Sequence, residues 1–126
     1  MPTRVGTDLV SVDTIRESID QHAEHYLERI YTPREVADCQ TPHGIDPERL
    51  AGRFAAKEAT LKVLRPRDEA IPWNTIEVYR DPSGWVELQL SGQAAALADA
   101  GGVDELSLSI AHDSGFATAV VVARCT

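Results

Sequence analysis

Residues 53–62 read Arg53-Phe54-Ala55-Ala56-Lys57-Glu58-Ala59-Thr60-Leu61-Lys62, RFAAKEATLK, a run of strong helix formers that sets a Lys-Glu pair among residues suited to packing. Upstream, Asp46-Pro47-Glu48-Arg49 supplies a capping side chain followed by a proline in the first turn. Downstream, Pro66 forbids continuation, so the spacing predicts one helix from about Pro47 to Arg65. At about 100° per residue, Leu50, Phe54, Leu61 and Leu64 fall in one stripe, the expected core face, with Glu58 on its rim and Lys62 one turn further on. Lys57 projects near Leu50 and Leu61, where packing or an interface suits it better than chemistry.

Around this helix the other elements follow from period and punctuation. Val5 to Val12, interrupted by Gly6, reads as a strand that carries Asp8. A helix with Ile15 and Ile19 four apart comes next, with Ser11 or Asp13 as its cap. Thr32-Pro33-Arg34-Glu35 has the form of a capping box. Gln40 to Pro47 is polar and turn-rich. Thr75 to Leu90 alternates as a hairpin around Asp81-Pro82-Ser83-Gly84, with Ile76 and Val78 on one arm and Val86, Leu88 and Leu90 on the other. An alanine-rich helix from Gln93 to Ala100 stops at Gly101-Gly102. The remainder is a second hairpin in which Leu106, Leu108, Ile110 and His112 share a face, delivering His112 beside the Asp113-Ser114-Gly115 turn.

A length of 126 residues suits a single domain over 1–126, and the fold class expected is α+β, an antiparallel sheet packed on the long helix. No apolar run is long enough for a bilayer, and the N-terminal segment reaches Asp8 before a signal-peptide core develops, which implies a cytoplasmic protein without membrane contact. Cys39 and Cys125 lack zinc or redox spacing and read as free thiols. A net charge of -8 argues against nucleic acid as a partner. Yet Arg29, Arg34, Arg49, Arg53, Lys57, Lys62, Arg65 and Arg67 crowd residues 29–67, so an anionic ligand remains open.

Asp8, Glu58 with Lys62, and His112 each have an ordinary structural explanation: a turn residue, a surface helix pair, a hydrogen-bonded strand end. Together they suit a site. Two carboxylates without thiols or clustered histidines are hard oxygen ligands of the kind that hold Mg²⁺ beside a phosphate, and Lys62 and His112 add donors for phosphate oxygens. The set fits phosphate transfer better than acyl hydrolysis.

These residues resemble a known family. GTDLVSV is similar to the GxDxV/I opening of the 4'-phosphopantetheinyl transferases, LAGRFAAKEATLK to their central helix motif, and SIAHD with GFATAVVV to their closing strand pair. The length and the single copy of each motif resemble the short, single-domain holo-acyl-carrier-protein synthase type. The resemblance implies transfer of the 4'-phosphopantetheine arm of coenzyme A to a serine of an apo acyl carrier protein, with release of adenosine 3',5'-bisphosphate. It implies Asp8 and Glu58 as Mg²⁺ ligands, Lys62 at the transferred phosphoryl group, and Lys62, His112, Arg53 and Arg65 as coenzyme A-binding residues. It also implies a homotrimer in which His112 faces the Asp8 and Glu58 of a neighbour. The serine proton goes to Glu58, directly or through a metal-bound water, or to Lys62.

Two stretches depart from the family pattern. Leu64 to Pro72 lacks the glycines usual after the central helix, and Arg65 and Arg67 stand where the 3'-phosphate of coenzyme A could pair with them. A basic docking position corresponds to Thr14, with Arg16 the nearest substitute. Arg16, Arg29 and Arg34, with Ile30 or Tyr31 as apolar contacts, are the expected carrier-docking residues. The alternatives are a coenzyme A or carrier-protein binding module without turnover, and a structural trimer with no small ligand.

Overall fold

A computed structural model of the protein describes residues 2–126. The chain opens with β1 (Thr3–Ser11), the expected strand, and closes with β6 (Val103–Asp113) and β7 (Phe116–Cys125). β7 is the middle strand: β1 pairs with it antiparallel on one side and β6 on the other. The register sets Asp8 and Ile110 on either side of Ala119, and Val10 and His112 on either side of Ala117. Strand alternation therefore sorts the two faces. Gly6, Val10, Ala117, Ala119, Val121 and Ala123 are buried, while Val5, Leu9, Val120, Val122 and Phe116 remain exposed on the other side.

Between these strands run α1 (Val12–Ile30), α2 (Pro33–Asp38), α3 (Pro47–Leu64), the hairpin β4 (Ile76–Arg80) and β5 (Val86–Leu90), and α4 (Gly92–Ala100). The expected pairings of the second hairpin and of β4 with β5 are present, with Ile76 opposite Leu90 and Val78 opposite Leu88. The antiparallel strands form separate sheets instead of one, because β4 and β5 pair only with each other. Gln40 to Pro47 also holds a short pair, β2 (Gln40–Thr41) with β3 (Gly44–Ile45), which its polar composition did not announce. Ser11 occupies the cap position of α1, but neither it nor Asp13 caps with a side chain; Val12 N–H donates to the Gly115 carbonyl at 3.0 Å. α1 is bent at Ala23, whose φ of 43° and ψ of -121° leave the helical region.

The expected stripe on α3 needs correction. Leu50 and Leu64 are buried, but Phe54 and Leu61 are only half-buried. Ala51, Gly52, Arg53, Ala55, Ala56, Lys57, Ala59, Thr60 and Val63 are buried. The helix is enclosed by the sheet on one side and by α1 and β4 on others, so the closeness of a neighbouring element, more than hydrophobicity, decides which positions go inside. A Cβ on Gly6 would collide with the Ala59 carbonyl oxygen, and one on Gly52 would sit 2.9 Å from Ile110 Cγ2. Arg4 fastens the same contact by donating to the Val63 carbonyl at 2.8 Å.

Lys57 has a structural role. It is completely buried, as is Glu35 of α2, and Lys57 Nζ lies 2.7 Å from Glu35 Oε1. The ammonium also donates to the carbonyls of Trp73 and Ile76, so its three protons are all used. Glu35 accepts from Thr32 N at 2.8 Å and from Val78 N at 2.9 Å. The capping box expected at Thr32 is present, and its carboxylate also bolts α2 to α3 and β4. Burial pulls the Lys57 pKa down and Glu35 partly restores it. Lys57→Met leaves Glu35 buried without its cation and is expected to cost about 3–5 kcal/mol in urea unfolding. Adding Glu35→Gln should recover part of that loss; a single variant as stable as the parent would contradict the role.

Candidate active site

The close contact of β1 with α3 sets chemistry beside packing. Two residues after Gly6, Asp8 points to the helix side, with a fifth of its side chain exposed. Lys62 Nζ lies 3.4 Å from Asp8 Oδ1 and donates to the Thr7 carbonyl at 2.6 Å. Glu58, one turn before Lys62, is half-buried. Its carboxyl is pushed above the ordinary value first by burial and next by the charge of Asp8, with Lys62 acting in the opposite direction. Asp8, Glu58 and Lys62 are thus brought together, as the sequence predicts, at a solvent-accessible edge of the core.

This donor set fits Mg²⁺. Two carboxylates that repel each other gain from a shared dication, and Mg²⁺ keeps most of its coordination shell for water and substrate phosphate. Among the described residues no group of three or more His, Cys, Asp or Glu side chains is arranged to hold a metal by itself.

The other candidates lie elsewhere. His112 Nε2 donates to the Glu48 carbonyl at 3.0 Å, at the start of α3. Glu48 and Glu58 are ten residues apart along the same helix, about 15 Å at 1.5 Å per residue. Within one chain His112 therefore does not join the carboxylates. Arg53 is only 3% exposed, with Nη2 3.7 Å from Asp38 Oδ2, and its Nε and Nη2 make no hydrogen bond. Arg65 ends α3 in the left-handed region at φ 56°, its N–H bonded to the Leu61 carbonyl at 2.9 Å and its side chain exposed three residues beyond Lys62.

The docking arginines are more constrained than the sequence implies. Arg16 is paired with Asp13 at 2.6 Å, and Arg34 with Glu77 at 3.7 Å while lying over the Tyr79 ring. Arg29 has no ion pair among the described residues. Ile30 and Tyr31 are buried, so neither offers the apolar contact expected of it. Sequence reasoning passed over Glu35 because its capping role already explained it, and over the Thr7 carbonyl because a backbone acceptor carries no residue-type signal.

The family model of the 4'-phosphopantetheinyl transferase superfamily matches residues 4–121, and the chain belongs to that family. It is 40% identical over 118 residues to the holo-[acyl-carrier-protein] synthase of Halothermothrix orenii, spanning 94% of each chain. The Koribacter versatilis protein of the same name is 37% identical, over 93% of this chain and 94% of its own. Among solved structures, the ACPS-CoA complex of Chronobacterium ammoniagenes superposes with a TM-score of 0.86 at 36% identity, covering 100% of this chain and 99% of that one. The Helicobacter pylori holo-[acyl-carrier-protein] synthase in complex with coenzyme A gives 0.82 at 31% identity, over 96% and 100%.

Two outcomes follow from the geometry. In metal-free protein, Asp8→Asn should lower the titration midpoint of the Glu58 carboxyl followed by carbon NMR, and Lys62→Gln should raise it; shifts of the opposite sign would refute the charge coupling. Gly6→Ala should force β1 away from Ala59, with a loss of about 1–3 kcal/mol in thermal or urea unfolding. Unchanged stability would show that the approach is looser than described.

Proposed function

We propose that the chain, acting as one domain over residues 1–126, transfers the 4'-phosphopantetheine arm of coenzyme A to a serine of an apo acyl carrier protein in a Mg²⁺-dependent reaction. The observation that carries this reading is the convergence of Asp8, Glu58 and Lys62 where β1 meets α3. The similarity to proteins solved with coenzyme A supports it.

Asp8 and Glu58 would hold the metal, which when bound supplies a Lewis acid that withdraws charge from the pyrophosphate. The serine oxygen forms a bond to the β-phosphorus as the bond from that phosphorus to the bridging oxygen breaks, and adenosine 3',5'-bisphosphate departs. Lys62 already donates to Thr7 and contacts Asp8, and such an ammonium is suited to turn a donor toward a phosphoryl oxygen. Glu58 and Lys62 are the two side chains of this cluster placed to take the serine proton. Arg53, buried beside Asp38 with two guanidinium nitrogens that make no hydrogen bond, and Arg65, exposed past the helix end, are the further coenzyme A-binding residues in this reading.

The assembly in this reading is a homotrimer. Val5 is 68% and Leu9 64% exposed, and with Val120, Val122 and Phe116 they leave an apolar sheet face that water disfavours and another copy could cover. His112 of the partner subunit would then complete each site, which accounts for the distance between His112 and the carboxylates within one chain. Two buried free thiols suit the cytoplasm.

Incubation with coenzyme A, Mg²⁺ and apo carrier proteins should raise the mass of a carrier by about 340 Da, the mass of the arm. Asp8→Asn or Glu58→Gln should reduce the rate at least about 100-fold, and chelation of the metal should stop the gain. Binding of coenzyme A without a mass gain on any carrier tried would leave a non-catalytic binding module instead.

A further inference from the structure

A cavity lies away from the carboxylate cluster. It occupies about 610 Å³ between the second half of α1, α2 and the short 3₁₀ turn Trp73–Thr75. Its apolar walls come from Leu27, Tyr31, Pro33 and Val36, and its acidic edge from Glu24 and Glu28. Glu24, Leu27 and Glu28 follow one another at the i, i+3, i+4 spacing of a single helical face, and Tyr31 caps the end of that helix. The break at Ala23 lets this half of α1 take a direction of its own.

The groove is firmly built. Tyr31 is 2% exposed, its hydroxyl 2.9 Å from the Tyr26 hydroxyl and donating to the Leu50 carbonyl at 3.3 Å, and its ring lies 5.9 Å from Lys57 Nζ. Thr32, on the same wall, belongs to the capping box closed by Glu35. Glu24 and Glu28 are exposed and form no salt bridge among the described residues. Of the nearby cations, Arg34 is held by Glu77 and Tyr79, and Arg29 projects about 100° around the helix from Glu28. An occupant that carries positive charge complements this acidic edge.

We propose that this groove docks a segment of a partner protein in which a bulky apolar side chain is flanked by lysine or arginine. The apolar side chain fills the space over Leu27, Pro33 and Val36, above the buried Tyr31, and the flanking cations meet Glu24 and Glu28. The inference goes beyond the transfer reaction and does not depend on it, since none of these residues belongs to the Asp8, Glu58 and Lys62 cluster.

The test uses the full-length protein and two synthetic amphipathic peptides that share one leucine- and phenylalanine-bearing face. One has lysines beside it, the other glutamates at the same places. Fluorescence anisotropy at low salt should show at least about tenfold tighter binding of the lysine peptide, with amide shifts in the protein confined to residues 24–37 and 73–75. Glu24→Lys with Glu28→Lys should remove the preference or invert it, and Leu27→Ser should weaken both peptides, while the thermal midpoint of the charge variant stays near that of the parent. Absence of binding, a preference for the glutamate peptide, or shifts mapping elsewhere would overturn the proposal. So would a change in oligomeric state on Glu24→Lys with Glu28→Lys, because the groove would then seat a second copy of this chain.

Discussion

The site depends on how closely a strand can lie against a helix. At Gly6 the backbone of β1 runs against the Ala59 carbonyl of α3, and any side chain would push the two apart. That contact fixes the distance between Asp8 on the strand and the Glu58–Lys62 turn on the helix, which neither element could set alone. Packing at Gly6 and electrostatics at Asp8 are therefore two parts of one constraint: small residues build the approach, and the charged residues beside it use the resulting geometry. Arg4, reaching from the same strand to the Val63 carbonyl, holds the approach further along the helix.

The opposite side of α3 is held by different means. Lys57 and Glu35 are wholly inside the protein, where an isolated charge would be costly, and both are satisfied by each other and by backbone groups from three segments. Adjacent residues in the sequence thus serve opposite purposes. Lys57 looks inward and secures the helix, while Glu58 looks outward from a position the helix has made rigid. The same pair supports the floor of the groove between α1 and α2 through Tyr31, so the central helix underlies both surfaces.

Much of this was legible in the sequence, and the parts that were not have physical reasons. Proline and capping residues marked the start of α3, and Pro66 its end, because those signals act locally. Strand alternation gave the closing hairpin and the place of His112 at its end. The buried positions of α3 were misread because hydrophobic periodicity weighs large side chains. A helix enclosed on several sides instead buries Ala, Gly and Thr wherever neighbours come close, leaving Phe54 and Leu61 partly outside. Asp8, Glu58 and Lys62 stand out by residue type and by resemblance, while their proximity follows from the register of β1 on β7 and the seat of α3. Glu35 was hidden behind its capping role, since a carboxylate that satisfies one local motif gives no sign of a second partner far along the chain.

The most direct test is a crystal structure of the protein grown with coenzyme A and Mn²⁺ in place of Mg²⁺, so that anomalous scattering locates the metal. The expected result is a peak between the carboxylates of Asp8 and Glu58, in contact with the pyrophosphate of coenzyme A, with Lys62 on the same phosphate group. Coenzyme A bound with its pyrophosphate away from these residues, or a metal peak that excludes either carboxylate, would contradict it.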